Sequence, residues 1–300
     1  MRLSSIDIGS NAIRQIIVSV DDHNQWQILK KERFPIRLGH DVFNSKKIAE
    51  PTLELMIGAF REFARNNRKF RVQKTMAVAT SAMRDAVNAD YIIKKIKQVS
   101  QIKIEVITGQ QEADFIHRAI FKTRILSAAN NVLLEIGGGS AEYTFVSNSN
   151  REMQNFKKIW SASYPLGVVR LMQQIEKTGK KIPELSKKYL DRIPLKIRKD
   201  HWPVMIGTGG NFDALAKLKM QLLKQGVQTN LSYDDLVQIK KIWSQLSFEQ
   251  KLSLDIRKDR IDVLEYAIEL ILISMRLLNT RQIKVPFVGL KEGVIHYLQE

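Results

Sequence analysis

Two acidic residues stand at the ends of apolar runs and are each followed by Ile-Gly. Asp7 leads into Gly9, Ser10 and Asn11, and Glu135 leads into Gly137, Gly138, Gly139 and Ser140. A carboxylate is costly to bury alone, and a run of glycines loses more backbone entropy on folding than other residues do. Both costs are offset if the turns bind anions, because glycine lets a phosphate approach the backbone N–H groups. A third turn, Gly207 to Gly210, follows "VMI" and precedes "NFDALAKL". Tight turns of an ordinary α/β protein account for any one of these, whereas three together, two of them after an acid, favour phosphate. Asp7 and Glu135 suit a hard divalent cation held by one or two carboxylates plus substrate phosphates. Glu112, in "TGQQEADF", is placed either to position water from a cleft or to cap a helix or face solvent. Arg84, in "ATSAMRDAVN", is either a surface helix arginine or a bidentate phosphate ligand.

Other chemistries find no support. No Gly-Lys-Ser/Thr follows a glycine turn, the Gly137 turn lacks the third spaced glycine of a dinucleotide fingerprint, and "GGSAE" lacks the last glycine of a nucleophile elbow. His23, His40, His117, His201 and His296 show no metal-ligand spacing, and the chain has no cysteine. Cysteine-free composition and a start without an uninterrupted signal-peptide core lead to the expectation of a cytoplasmic protein without a membrane span. The formal charge of +17 raises the expectation of a polyanionic partner. No nucleic-acid module accompanies it, so no specific nucleic acid is expected.

The elements that must position these residues follow from periodicity. Residues 5–20 and 132–146 each read as strand, turn, strand, which suggests an internal duplication offering two acidic hairpins. Residues 51–68, 89–99 and 110–120 have helical apolar spacing, "IKIEVITG" reads as a strand, and "TMAVATSAMRDA" as a strand entering a helix. "VMIGTGGNFDALAKL" reads as strand, turn and helix, with Asn211 as its N-cap. "KLSLDIRKDRIDVLEYAIELILISMRLL" reads as one long buried helix, and "IKVPFVGLKEGVIHYLQE" as a strand, a turn at Gly289 and a terminal helix. Alternating strands and helices imply an α/β protein. The expected domains are residues 1–124 and 125–285, with a boundary near residues 122–129, and residues 286–300 as a terminal helix packing back on the first domain.

The ordered set "IDIGSNAIR", "RLG", "ATSAMRDAVN", "VITGQQEA", "LLEIGGGSAE", "YPLGVVRL", "GTGGN", "RIDVLEYA" and "GLKEG" resembles the exopolyphosphatase and guanosine pentaphosphate phosphohydrolase family, in its short form. The resemblance runs nearly end to end. It implies an actin-like α/β fold of the sugar kinase and Hsp70 superfamily, with two domains of duplicated ribonuclease H-like topology around a cleft. It implies a Mg2+ or Mn2+ ion at Asp7 and Glu135, and Glu112 as the residue that aligns or deprotonates water. Phosphate contacts would come from Gly9, Ser10, Asn11, Arg14, Arg84, Gly137, Gly138, Gly139, Ser140 and Glu142, with Gly207, Gly209 and Gly210 lining the site. The implied reaction is removal of terminal phosphate from inorganic polyphosphate or from guanosine pentaphosphate, with a homodimer as an open arrangement. The family usually has aspartate where this chain has Glu135, and Glu-Glu-Ala-Arg where it has Gln111, Glu112, Ala113 and Asp114. These departures keep open a polyphosphate- or guanosine-alarmone-binding protein with little turnover.

Overall fold

The computed structural model describes residues 1–126, 130–148, 156–224 and 229–300. They form two compact units, Met1–Ala119 with Val288–Glu300, and Ile120–Phe287. Residues 127–129 of the expected boundary lie outside the described residues.

In the first unit the strands β1 (Arg2–Ile8), β2 (Ile13–Val20) and β3 (Trp26–Phe34) form an antiparallel meander. Strands β4 (Lys74–Ala79) and β5 (Ile104–Val106) run parallel to β1, giving the order β3-β2-β1-β4-β5. The inner strands are apolar on both sides because both faces are covered. Ile6, Ile8 and Ile13 pack with Phe60 and Phe63 of the helix Glu50–Lys69 and with Ile92 and Ile96 of the helix Ala89–Ser100. Leu3, Ile16, Val18 and Val20 instead pack on Ile295 of the terminal helix Leu290–Leu298.

The second unit contains β6 (Asn130–Ile136), β7 (Ala141–Ser147), β8 (Lys157–Tyr164), β9 (Val204–Thr208), β10 (Asn230–Ser232) and β11 (Gln282–Lys284). Its order, β8-β7-β6-β9-β11-β10, repeats that of the first unit and adds β10 antiparallel to β11. The copy extends to irregularities. The β2–β3 register shifts between Ile17 and Val18, and the β7–β8 register shifts between Phe145 and Val146, the same step along each hairpin's second strand. This is the duplicated ribonuclease H-like topology of the actin-like fold. Around the second sheet, Phe145 packs edge-on against Trp202 at 4.8 Å, and buried Tyr143 shares a 2.7 Å hydrogen bond with Ser274. Burial raises the phenol pKa of Tyr143.

One expected element is broken. In place of a continuous helix over residues 251–278 there are three, Phe248–Ser253, Lys258–Ile261 and Leu264–Leu277. The breaks fall at 254–257 and 262–263, where Asp255, Ile256, Asp262 and Val263 favour helix less than the leucines and lysines around them, and they set Arg257 and Arg260 on a short separate turn.

Candidate functional site

In the first unit the β1–β2 register sets Asp7 directly opposite Arg14, and Arg14 Nη1 pairs with Asp7 Oδ2 at 2.8 Å. The turn between them is closed by Gly9 N–H donating to the Ala12 carbonyl at 3.1 Å. Ser10 and Asn11 are buried, and the Ser10 carbonyl accepts from Gly39 N–H at 2.8 Å. Gly39 opens the helix Leu38–Ser45, and a Cβ there would lie 3.1 Å from that carbonyl oxygen. The glycine of "RLG" therefore supports the first loop from outside.

Glu112 lies on the helix Gly109–Lys122, and it neither caps that helix nor faces solvent. Capping falls to its neighbours. Thr108 Oγ1 accepts from Gln111 N–H at 3.2 Å, and Gln111 Oε1 accepts from Thr108 N–H at 2.8 Å, a capping box in which glutamine serves as well as glutamate. Glu112 is instead buried, 6% exposed, and its Oε2 accepts from Arg84 Nη1 at 2.9 Å. The same Arg84 nitrogen donates to the Ile107 carbonyl at 2.8 Å. Arg84, expected to be a phosphate ligand or a surface residue, is half-buried and holds the Glu112 carboxylate. Asp114 accepts from Gln110 Nε2 at 3.1 Å on the exposed side of the helix.

In the second unit Glu135 stands opposite Glu142 on β7 and Thr208 on β9. Thr208 Oγ1 donates to Glu135 Oε2 at 3.1 Å, and Ser163 Oγ donates to Glu142 Oε1 at 2.8 Å. Opposed like charges destabilise a strand pair, whereas the corresponding pair in the first unit is Asp7 with Arg14.

The loop after Glu135 is oriented by the helix Val168–Thr178. Gly137 carbonyl accepts from Val168 N–H at 3.0 Å, Gly138 carbonyl from Val169 and Arg170 N–H at 2.9 and 3.1 Å, and Gly139 carbonyl from Arg170 Nε at 2.8 Å. In a trans peptide C=O and N–H point opposite ways, and no peptide bond among the described residues is cis. The N–H groups of Gly138, Gly139 and Ser140 therefore point away from that helix, where they are directed so as to be able to donate to an anion. Gly167 permits it, since a Cβ there would overlap the Gly138–Gly139 backbone.

The third turn differs from expectation. Gly207 lies within β9, and the ring of Phe212 fills the space of its missing Cβ, so packing explains that glycine. Gly209 has φ +85°, a left-handed conformation that favours glycine, and a Cβ there would come 3.2 Å from Glu135 Oε1. Asn211 is not the N-cap. Gly209 takes that place, and fully buried Asn211 donates from Nδ2 to the Ile136 carbonyl at 2.7 Å and accepts from Arg260 Nη1 at 2.7 Å. Arg257 Nη2 would stand 2.7 Å from a Cβ on Gly210. Sequence reasoning missed Gly39, Gly167, Arg170, Thr208, Arg257 and Arg260, although "RLG", "YPLGVVRL" and "RIDVLEYA" held several of them.

Asp7 in the first unit, and Glu135 and Glu142 in the second, carry oxygen donors of the kind a hard divalent cation takes beside water and phosphate ligands. Among the described residues no group of three or more His, Cys, Asp or Glu converges, so the side chains supply part of a coordination shell only. No helix among the described residues is long and apolar enough to cross a membrane.

A family model described as the Ppx/GppA phosphatase family matches residues 16–299. The chain is 32% identical over 178 residues to the bifunctional 3-dehydroquinate synthase/phosphatase of Fusobacterium nucleatum, covering 57% of this chain but 26% of that protein. It is 23% identical over 307 residues to exopolyphosphatase 1 of Mycobacterium tuberculosis, covering 98% of this chain and 87% of that one. An exopolyphosphatase from Cytophaga hutchinsonii shares the fold with a TM-score of 0.85 at 24% identity, over 99% of this chain and 97% of that one. The Aquifex aeolicus PPX-GPPA enzyme superposes with a TM-score of 0.78 at 25% identity, over 99% of both chains.

Proposed function

The chain belongs to the Ppx/GppA phosphatase family, and on that premise we propose that it is an exopolyphosphatase, releasing orthophosphate from the end of inorganic polyphosphate in the cytoplasm. The observation that supports the reading is the second loop, whose glycine carbonyls are taken by the helix behind it, so that the N–H groups of the same peptides are directed the other way. Such donors act on charge already present on the phosphate and need no reorganisation during the reaction. Glu112 aligns the attacking water and accepts its proton, held in orientation by Arg84. The N–H groups of Gly138, Gly139 and Ser140, with the Gly9 to Asn11 turn, bind phosphate oxygens. Asp7 and Glu135, with Glu142 beside the latter, would hold a Mg2+ or Mn2+ ion, which supplies positive charge against the phosphates. Guanosine pentaphosphate, whose terminal bond is also a phosphoanhydride, is the second substrate of this reading.

The departures from the family pattern do not favour a silent binding protein. Gln111 fills a capping box and Asp114 a surface hydrogen bond, so neither touches Glu112 chemistry. The test is orthophosphate release from polyphosphates of several lengths and from guanosine pentaphosphate, with Mg2+ and Mn2+ in turn. Metal-dependent release that falls by roughly 10²-fold or more in Glu112→Gln is expected. Tight polyphosphate binding with no release under any metal would replace this reading with the binding protein.

A further inference from the structure

We propose that the terminal helix Leu290–Leu298 is the positioning element for Glu112, acting through Gly293 as a contact point that admits no side chain. The proposal rests on Glu112 being the residue that aligns water.

Gly293 lies against the middle of the Glu112 helix. A Cβ at Gly293 would overlap the Phe115 carbonyl oxygen and lie 2.5 Å from its carbon and 3.1 Å from the Phe115 Cα. Non-bonded carbons rest about 3.5–4.0 Å apart. The obstacle is helix backbone, which cannot rotate away, so a methyl group here forces the two helices about 1 Å apart or twists one of them. Phe115 is three residues beyond Glu112, one turn along the same side of the helix. A displacement at Phe115 is thus delivered to the turn that carries the carboxylate.

Two further contacts continue the seam. The rings of Phe115 and Tyr297 meet edge-on at 5.5 Å, and the Arg118 guanidinium lies over the Tyr297 ring at 5.7 Å while pairing with the Glu300 carboxylate. The terminal helix is itself fixed from another side. Ile295 is fully buried among Leu3, Ile16, Val18 and Val20, residues of the two strands that carry Asp7 and Arg14. One helix therefore references both the acidic hairpin and the helix of Glu112, and it sets their spacing within the first unit. Glycine inside a helix is less favourable than alanine, and here the close approach of the two helix backbones requires it.

The experiment compares steady-state orthophosphate release from long-chain polyphosphate by wild type, Gly293→Ala, Tyr297→Leu, Glu112→Gln and the Gly293→Ala/Glu112→Gln double variant, with circular dichroism to confirm folding. A 1 Å misplacement costs up to about 10²-fold. We expect kcat of Gly293→Ala to fall roughly 10- to 100-fold with KM within about twofold, and Tyr297→Leu to fall in the same manner by less. In the Glu112→Gln background the Gly293 change should cost nothing further, which a merely structural role would not predict. Should Gly293→Ala fail to fold, Tyr297→Leu, at an exposed position, carries the same comparison against Glu112→Gln. Wild-type kcat in folded Gly293→Ala and in Tyr297→Leu, or an equal loss in the Glu112→Gln background, overturns the proposal while leaving Glu112 in its role. Wild-type kcat in Glu112→Gln removes the role itself, and the proposal with it.

Discussion

Arg84 and Glu112 are ambiguous as single letters, and the structure joins them as an ion pair. A guanidinium 2.9 Å from the carboxylate, anchored through the same nitrogen to the Ile107 carbonyl, fixes the orientation of Glu112. Arg84→Gln removes that restraint, and kcat for phosphate release should fall roughly 10-fold or more. Wild-type kcat in Arg84→Gln would show that this contact does not position Glu112. Glu135 gives a second prediction. Its length is used, since Oε2 reaches the Thr208 hydroxyl and the side chain fills the space beside Gly209. Shortening it to the family's usual aspartate withdraws the carboxylate from both, so Glu135→Asp should lower metal-dependent phosphate release by roughly tenfold, about 1.4 kcal/mol in the barrier. A gain of activity would contradict this.

At the scale of elements, the two hairpins and most helices were readable because apolar periodicity and glycine turns are local signals. The Asp7 and Glu135 slots were readable for the same reason, as acids closing apolar strands. What was not readable depends on long-range contact. The break after Ser253 brings Arg260 to Asn211, and the residues at the break, Ser253, Asp255 and Ile256, disfavour helix only mildly. Asn211 has the right type for an N-cap, yet its amide bridges Ile136 and Arg260 instead. Gly39 and Gly167 stood in quoted motifs, but only their contacts show that each underpins a loop from another element. Gly167→Ala should therefore disorder the Gly137–Ser140 loop and depress phosphate release by about 10²-fold or more, with the far-ultraviolet spectrum unchanged. A fully active Gly167→Ala would separate that helix from the site.

An element without catalytic duty gives a pH-dependent prediction. Asp235 closes a capping box with Ser232 at the start of the helix Tyr233–Gln245 and pairs with buried Lys219 at 2.8 Å. Burial pushes its pKa up, but the Lys219 and Ser232 hydrogen bonds outweigh it and hold the carboxyl below its usual value. A lowered folded-state pKa means that stability is fully present above the ordinary carboxylate pKa and is lost as pH falls through the folded value. Asp235→Asn should lose about 1–3 kcal/mol at pH 7, and its Tm should converge on that of wild type as the solution is acidified. A constant gap in Tm would assign the effect to packing.

For the whole molecule, the net charge of +17 is unevenly spread. Residues 177–201 hold nine Lys and Arg against three Asp and Glu. Attraction of that kind is long-range and is screened beyond about 8–10 Å at physiological salt. KM for long polyphosphate should therefore rise steeply between about 50 and 300 mM salt, while kcat, set by enclosed groups such as Glu112, changes little. Equal salt dependence of KM for very short and long chains would confine substrate contact to the loops.

The register shift after Ile17 and its counterpart after Phe145 supply a translation rule between the halves. A flaw repeated at the same step lets the two halves be matched residue by residue. Under that rule Arg14 and Glu142 stand at equivalent places carrying opposite charge, and Val78 and Thr208 at equivalent places with and without a hydroxyl for the neighbouring acid. One half neutralises its acid and the other doubles it, so one topology written twice offers two unlike electrostatic surroundings at matched places.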